Sequence, residues 1–241
     1  MITDQRRFEG VTTVFLDLDD TLWNFSANSR VALRHTYDFY QLAQWEPNYE
    51  QFEHIYEVRN AELWHDYHHG RVTREHLIAE RFRYALERIG CTGDIAAMGI
   101  DMNEHYLNHL ASLPTLVPGA REILQHLHRR GYSVHVLSNG FAGIQQQKLV
   151  SGGIDDLIDS LVLSDDCGIT KPQRGIFDYA LQMAGSTAPA TVMIGDDPDT
   201  DIDGAHRAGW RTIYYNAKQR DAVPGTADAE VSHLTEVATL L

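Results

Sequence analysis

At 241 residues the chain is long enough for one large domain, or for a core that carries an insert. A hydrophobic fraction of 43% supports a packed core, while a formal charge of −14 argues against non-specific attachment to nucleic acid or anionic lipid. No apolar run approaches the roughly 18 to 20 residues that span a bilayer. The amino-terminal MITDQRRFEG lacks a basic-then-apolar export pattern, and Cys91 and Cys167 fit no metal spacing. The expectation is a cytoplasmic protein with two buried thiols.

The first element, VTTVFLDL (residues 11–18), is β-branched and apolar without alternation, as a strand covered on both faces requires. Asp17, Asp19 and Asp20 crowd its end, where mutual repulsion and desolvation demand a partner. Four stretches with apolar residues at helical spacing follow. They are SRVALRHTYDFYQLAQW, YEQFEHIYEVRNAELWHDY, TREHLIAERFRYALERIG and AAMGIDMNEHYLNHLASL, punctuated by Pro47, Gly70 and Gly93. They predict four helices and no strand. Phe39, Trp45, Trp64 and Phe82 fall at helical spacing and are assigned to the core. His65, His68 and His69 lie near a helix end and are expected to cap it or to face solvent.

Beyond LPTLVPGA the pattern changes. Pro118 and Gly119 introduce the helix AREILQHLHRRG. Strands YSVHVLS, SLVLS, TVMIGD and RTIYYN then alternate with helices FAGIQQQKLVSGG, RGIFDYALQMAG and TDIDGAHRAG, and EVSHLTEVATLL adds a short strand and a closing helix. This alternation specifies α/β architecture: a doubly wound parallel-sheet core with right-handed crossovers. The core comprises residues 1–22 and 114–241. An all-α insert, residues 23–113, separates its first strand from the rest, with short joins near Trp23 and Pro114.

Ligands of such sheets bind beyond the carboxyl ends of the strands. Polar residues gather at four of those ends: Asp17, Asp19 and Thr21; Ser138, Asn139 and Gly140; Lys171-Pro172; and GDDPDTD, residues 195–201. Alone, a Ser-Asn-Gly turn or a loop lysine is commonplace. Asp17 and Asp19, two apart in extended backbone, project to one side. Two converging carboxylates suit a divalent cation such as Mg²⁺, and Asp196 can complete the set.

In that order DLDDT, SNG, KP and GDDPDTD resemble the four motifs of the haloacid dehalogenase (HAD) superfamily of phosphohydrolases, over nearly the whole chain. The helical insert is similar to that superfamily's C1 cap. TLWNFSANSR, SNGFAGIQQQKL and KPQRGIFDYALQMAG further resemble its YjjG/YfnB-type 5′-nucleotidase branch, whose members act on pyrimidine nucleoside monophosphates. The resemblance implies that Asp17 is a nucleophile forming an aspartyl-phosphate and that Asp19 is general acid, then base. It implies Mg²⁺ bound by Asp17, the Asp19 backbone carbonyl and Asp196, and a phosphoryl group held by Ser138, Asn139 and Lys171, with Thr21 and Gly140 in support. Asp201 is expected to support the metal or the lysine, and Asp197 is an alternative ligand in the same segment. Trp23 and Phe25 directly follow the first motif and are expected to border the pocket, where one of them can stack on a base.

The partner so implied is a small phosphate monoester, a nucleoside monophosphate, for a monomer or homodimer that binds neither nucleic acid nor membrane. The alternatives are a HAD phosphatase for phosphoglycolate or a sugar phosphate, and a phosphomutase. Haloacid dehalogenation is disfavoured by Asp19, because dehalogenases lack an acid two residues after the nucleophile.

Overall fold

The computed structural model describes residues 5–220 and 224–241. By internal contact the chain divides into two compact units, Met1–Phe25 with Pro114–Leu241, and Ser26–Leu113. Its helices are α1 (Phe25–Phe39), α2 (Tyr49–His68), α3 (Arg74–Arg88), α4 (Ile95–Ala111), α5 (Ala120–Arg129), α6 (Ala142–Gly152), α7 (Ser164–Cys167), α8 (Arg174–Ala184) and α9 (Gly204–Arg207). The strands are β1 (Thr13–Leu16), β2 (Ser133–Ser138), β3 (Ser160–Leu163), β4 (Thr191–Gly195), β5 (Arg211–Tyr215) and β6 (Ala229–Val231).

The strands form one parallel sheet in the order β3-β2-β1-β4-β5-β6. All four residues of β1 are buried, which explains the missing alternation in its sequence. One flank of the sheet packs around Phe15, whose ring stacks on His135 at 4.8 Å and meets Trp210 at 5.0 Å, while Phe177 sets its edge to Trp210 at 5.3 Å. Burying each such side chain contributes roughly 1.5–3 kcal/mol. His135 belongs to this core. Hydroxyls of Ser133 and Ser160, each 2.7 Å away, satisfy its ring nitrogens, and burial pushes its pKa down so that it stays neutral.

Leu16 lies opposite Val136 on one side and Ile194 on the other, so Asp17, Ser138 and Asp196 emerge together at the carboxyl edge. Chain order reverses between β1 and β4, the place where sheets of this kind open a crevice. After β1 the chain is stitched back before it leaves the unit. Trp23 N–H donates to Leu18 O at 2.8 Å, Asn24 N–H to Thr115 O at 3.0 Å, and Val117 N–H to Leu22 O at 2.9 Å. This pairing holds the segment to the sheet unit, so the division falls after Phe25 rather than after Leu22, where the sequence placed it.

The second unit is helical. Within it α3 packs on both α2 and α4, and Phe82 bridges Tyr56 at 4.6 Å and Tyr106 at 5.6 Å. Side chains of Asn48, Thr73 and Asp94 accept from Glu50, His76 and Ala97 N–H groups and cap α2, α3 and α4. Phe82 is buried as expected, but Trp45 and Trp64 are half-buried and Phe39 is 61% exposed. Phe39 is the last residue of α1, and it covers His105 at 4.2 Å rather than entering the core. His65 and His69 face solvent at the end of α2, with His69 Nδ1 2.8 Å from His65 O.

Both cysteines are unpaired, yet only Cys91 is buried; Cys167 ends the one-turn α7 and is half-exposed. The closing segment is a 3₁₀ helix, Leu234–Thr239, instead of an α-helix. No helix among the described residues is long and apolar enough to cross a membrane.

Candidate active site

Lys171 organises the carboxyl edge of the sheet. Its side chain is 2% exposed, and Nζ donates to Asp17 Oδ1 at 2.7 Å, Asp201 Oδ1 at 2.6 Å and Leu137 O at 2.9 Å. Burial opposes the charge, but the two carboxylates outweigh it and hold the ammonium above the ordinary lysine range. Asn139 fixes the backbone that carries this lysine. Its Oδ1 accepts from Lys171 N–H at 2.7 Å and its Nδ2 donates to Lys171 O at 3.0 Å. Gly195 makes room on the other side, since a Cβ there would collide with the Asp201 carboxylate.

Carboxylate oxygens of Asp17, Asp196 and Asp201 all lie within 4.8 Å of one another. Asp17 is raised well above the usual carboxylate range, chiefly by burial, with Lys171 opposing and Asp201, Asp196 and Asp19 adding to the shift. Asp201 is raised by burial against the pull of Lys171. Asp196 is pushed up to about 7 by burial and then by Asp201 and Asp20. The donors are hard oxygens, close-set and short of positive charge, which is the donor chemistry a divalent cation such as Mg²⁺ takes. Counting Asp19, four carboxylates face the two ammonium groups of Lys148 and Lys171, a formal excess of two negative charges.

Around this group the other expected residues take distinct places. Thr21 Oγ1 accepts from Asp196 N–H at 3.1 Å and pins that strand end. Asp201 Oδ2 accepts from Asp197 N–H at 3.2 Å, so both of its oxygens are engaged. Asp197 Oδ1 accepts from Asp199 and Thr200 N–H at 3.0 and 2.8 Å and caps the π-helical turn Pro198–Asp203. Its side chain caps this turn, and the close-set acidic group is made by Asp17, Asp196 and Asp201.

The Asp19 carboxylate also stands apart from the acidic group. Lys148 Nζ donates to Asp19 Oδ1 at 2.6 Å and Oδ2 at 2.9 Å, and Gln145 Nε2 donates to Oδ2 at 3.0 Å. Gln145 Nε2 also donates to Ser138 Oγ at 2.6 Å, which accepts in addition from Gly140 N–H at 3.1 Å. Lys148 and Gln145 were not expected from the sequence. The available signal was polar residues in the buried stripe of α6, Gln145, Lys148, Leu149 and Gly152, where an amphipathic helix places apolar ones.

Trp23 departs from its expected place beside a substrate. It is fully buried, with the Lys148 ammonium 4.8 Å from its ring, so neither face is free to stack on a base. Phe25, 5.5 Å from the same ammonium, keeps partial exposure.

A family model described as haloacid dehalogenase-like hydrolase matches residues 11–209. The chain is 33% identical over 230 residues to the pyrimidine 5′-nucleotidase YjjG of Escherichia coli, covering 95% of this chain and 96% of that protein. It is 28% identical over 204 residues to the pyrimidine 5′-nucleotidase PynA of Streptococcus pneumoniae, covering 84% and 83%. Among solved structures, that of the HAD-hydrolase YfnB from Bacillus subtilis, bound to magnesium, matches with a TM-score of 0.85 at 25% identity, over 96% of this chain and 98% of that one.

Proposed function

The chain belongs to the haloacid dehalogenase-like hydrolase family, and from that membership we propose that it is a magnesium-dependent 5′-nucleotidase acting on pyrimidine nucleoside monophosphates. The observation that carries the reading is the buried Asp17–Lys171–Asp201 arrangement with Asp196 beside it, at the carboxyl edge of a sheet. The substrate class rests on the two pyrimidine 5′-nucleotidases to which the chain is similar along most of its length.

In this reading Asp17 attacks phosphorus, the bond to the nucleoside 5′ oxygen breaks, and Asp19 delivers a proton to that oxygen. Water then attacks the aspartyl-phosphate, gives its proton to Asp19, and phosphate leaves. Lys171 and Ser138 offer positive charge and a hydrogen bond to the phosphoryl oxygens. Asp17, Asp196 and the Asp19 backbone carbonyl would hold Mg²⁺, which supplies neutralisation of the charge facing the incoming phosphate. The helical unit Ser26–Leu113 is assigned to substrate selection.

Phosphate release from UMP, dUMP, dTMP, a purine monophosphate, phosphoglycolate and a sugar phosphate tests the reading. The pyrimidine monophosphates are expected to turn over fastest, and EDTA to abolish release. Faster turnover of phosphoglycolate or the sugar phosphate would assign a different ester. Chloride release from a haloacid, unaffected by EDTA, would replace the reaction altogether.

A further inference from the structure

We propose that Gln145 and Lys148 of α6 form a positioning pair, which aims the Asp19 carboxyl and obliges the Ser138 hydroxyl to donate. The inference rests on the phosphatase reading, which gives Asp19 and Ser138 their parts. Neither residue of the pair belongs to the four strand-end clusters.

An amide and an ammonium on the buried stripe of a helix are costly unless paired. Here both are spent on one carboxylate. Lys148, 4% exposed, contacts both Asp19 oxygens, and its ammonium is held against the rings of Trp23 and Phe25. Gln145, with no exposure, adds a third hydrogen bond at 3.0 Å. A carboxylate offers about four acceptor sites. With three filled, a single open position remains at which Asp19 can carry a proton to a leaving oxygen or take one from water.

The second amide hydrogen of Gln145 does a different job. A hydroxyl has two lone pairs, and those of Ser138 are taken by Gln145 Nε2 and Gly140 N–H. The Ser138 proton must then be given outward, as a phosphoryl oxygen requires. The amide orientation is forced, because reversing it would set Gln145 Oε1 against a carboxylate oxygen. Gly140 is needed for the same contact, since a Cβ there would collide with the Gln145 side chain. In the first half-reaction the Asp17–phosphorus bond forms, the phosphorus–ester oxygen bond breaks, and that oxygen leaves with the proton of Asp19. The carboxylate left behind is the species that the pair is seen to hold.

The test compares kcat/KM for UMP, whose alkoxide needs a proton to leave, with kcat/KM for p-nitrophenyl phosphate, whose phenolate does not. Positioned acid catalysis contributes about 10²–10⁴-fold. Lys148→Met is therefore expected to lose roughly 10- to 100-fold more on UMP than on the aryl ester, and Lys148→Arg to recover most of that difference. Gln145→Leu should lower both substrates, because Ser138 serves the phosphoryl group common to them.

Equal losses on the two esters from Lys148→Met, or none, would overturn the pair, as would a Gln145→Leu variant that keeps wild-type kcat/KM on both. Should Lys148→Met fail to fold, Asp19→Asn/Lys148→Met removes both charges together and is compared with Asp19→Asn alone. Identical kcat/KM values support action through Asp19, and a further loss overturns it. Wild-type protein releasing no phosphate from either ester would overturn the phosphatase reading and the pair with it.

Discussion

Replacing Lys171 with methionine separates the structural from the chemical part of the site. The ammonium donates to Asp17, Asp201 and the Leu137 carbonyl within 2.6–2.9 Å, and its removal leaves two buried carboxylates facing each other. Breaking a buried pair by deleting one partner costs about 3–5 kcal/mol. At roughly 2–4 °C per kcal/mol for a chain of this size, the melting temperature should fall by about 6–20 °C at pH 8 in EDTA. The loss should depend on pH in a definite direction. Asp17 and Asp201 already sit above their ordinary values, and without Lys171 they move higher. A carboxyl whose folded pKa exceeds its unfolded value makes the folded state bind the extra proton, so stability falls as pH rises between the two values. The gap between variant and wild type should therefore narrow as pH is lowered from 8 toward 5. Lys171 itself titrates above its usual range and adds no slope there. Scanning calorimetry at both pH values is the assay. A variant as stable as wild type at pH 8, or a gap that ignores pH, would refute the argument that the lysine neutralises buried charge.

Asp17→Asn should fold, yet release no phosphate above background, because the amide cannot attack phosphorus; the measurement is phosphate release with UMP. Asp196, pushed up to about 7, must lose its proton to hold a cation. Mg²⁺ binding followed calorimetrically in buffers of different ionisation enthalpy should release more proton at pH 6 than at pH 8.5, with affinity falling up to about tenfold per unit below pH 7. Gly195→Ala forces a methyl group against the Asp201 carboxylate, and equilibrium unfolding should register a loss of about 1–3 kcal/mol. Phe177→Ala opens the flank shared with Trp210 and should cost about 3–5 kcal/mol by the same measurement, with KM unchanged because the ring lies inside the core.

The strand-helix alternation was legible because buried parallel strands and amphipathic helices have different apolar periods. The strand-end clusters stood out because carboxylates, an amide and a lysine interrupted apolar runs where a ligand binds. Lys148 was hidden for the opposite reason. In FAGIQQQKLVSGG a lysine among glutamines has the composition of a solvated face, and only the three-dimensional course of α6 puts it beside Asp19. Trp23 misled because closeness in sequence to the first motif says nothing about exposure; its ring is enclosed beside Lys148. Phe39 fitted the helical period but ended the helix, where there was no core left to enter. Asp197 looked equivalent to Asp196 as a residue type, and the turn that it caps decides the difference.

The hydrogen bonds joining Leu22 to Val117 and Asn24 to Thr115 bring the two ends of an eighty-eight-residue excursion side by side, from Ser26 to Leu113. A module whose termini are clasped in this way behaves as a cassette. It can be shortened, exchanged or rebuilt by recombination while the reacting groups keep their footing on β1, β2 and β4. On the proposed assignment of substrate selection to this module, chemistry and choice of substrate would diverge at separate rates, and a short turn from Phe25 to Pro114 would yield the sheet unit alone for direct comparison.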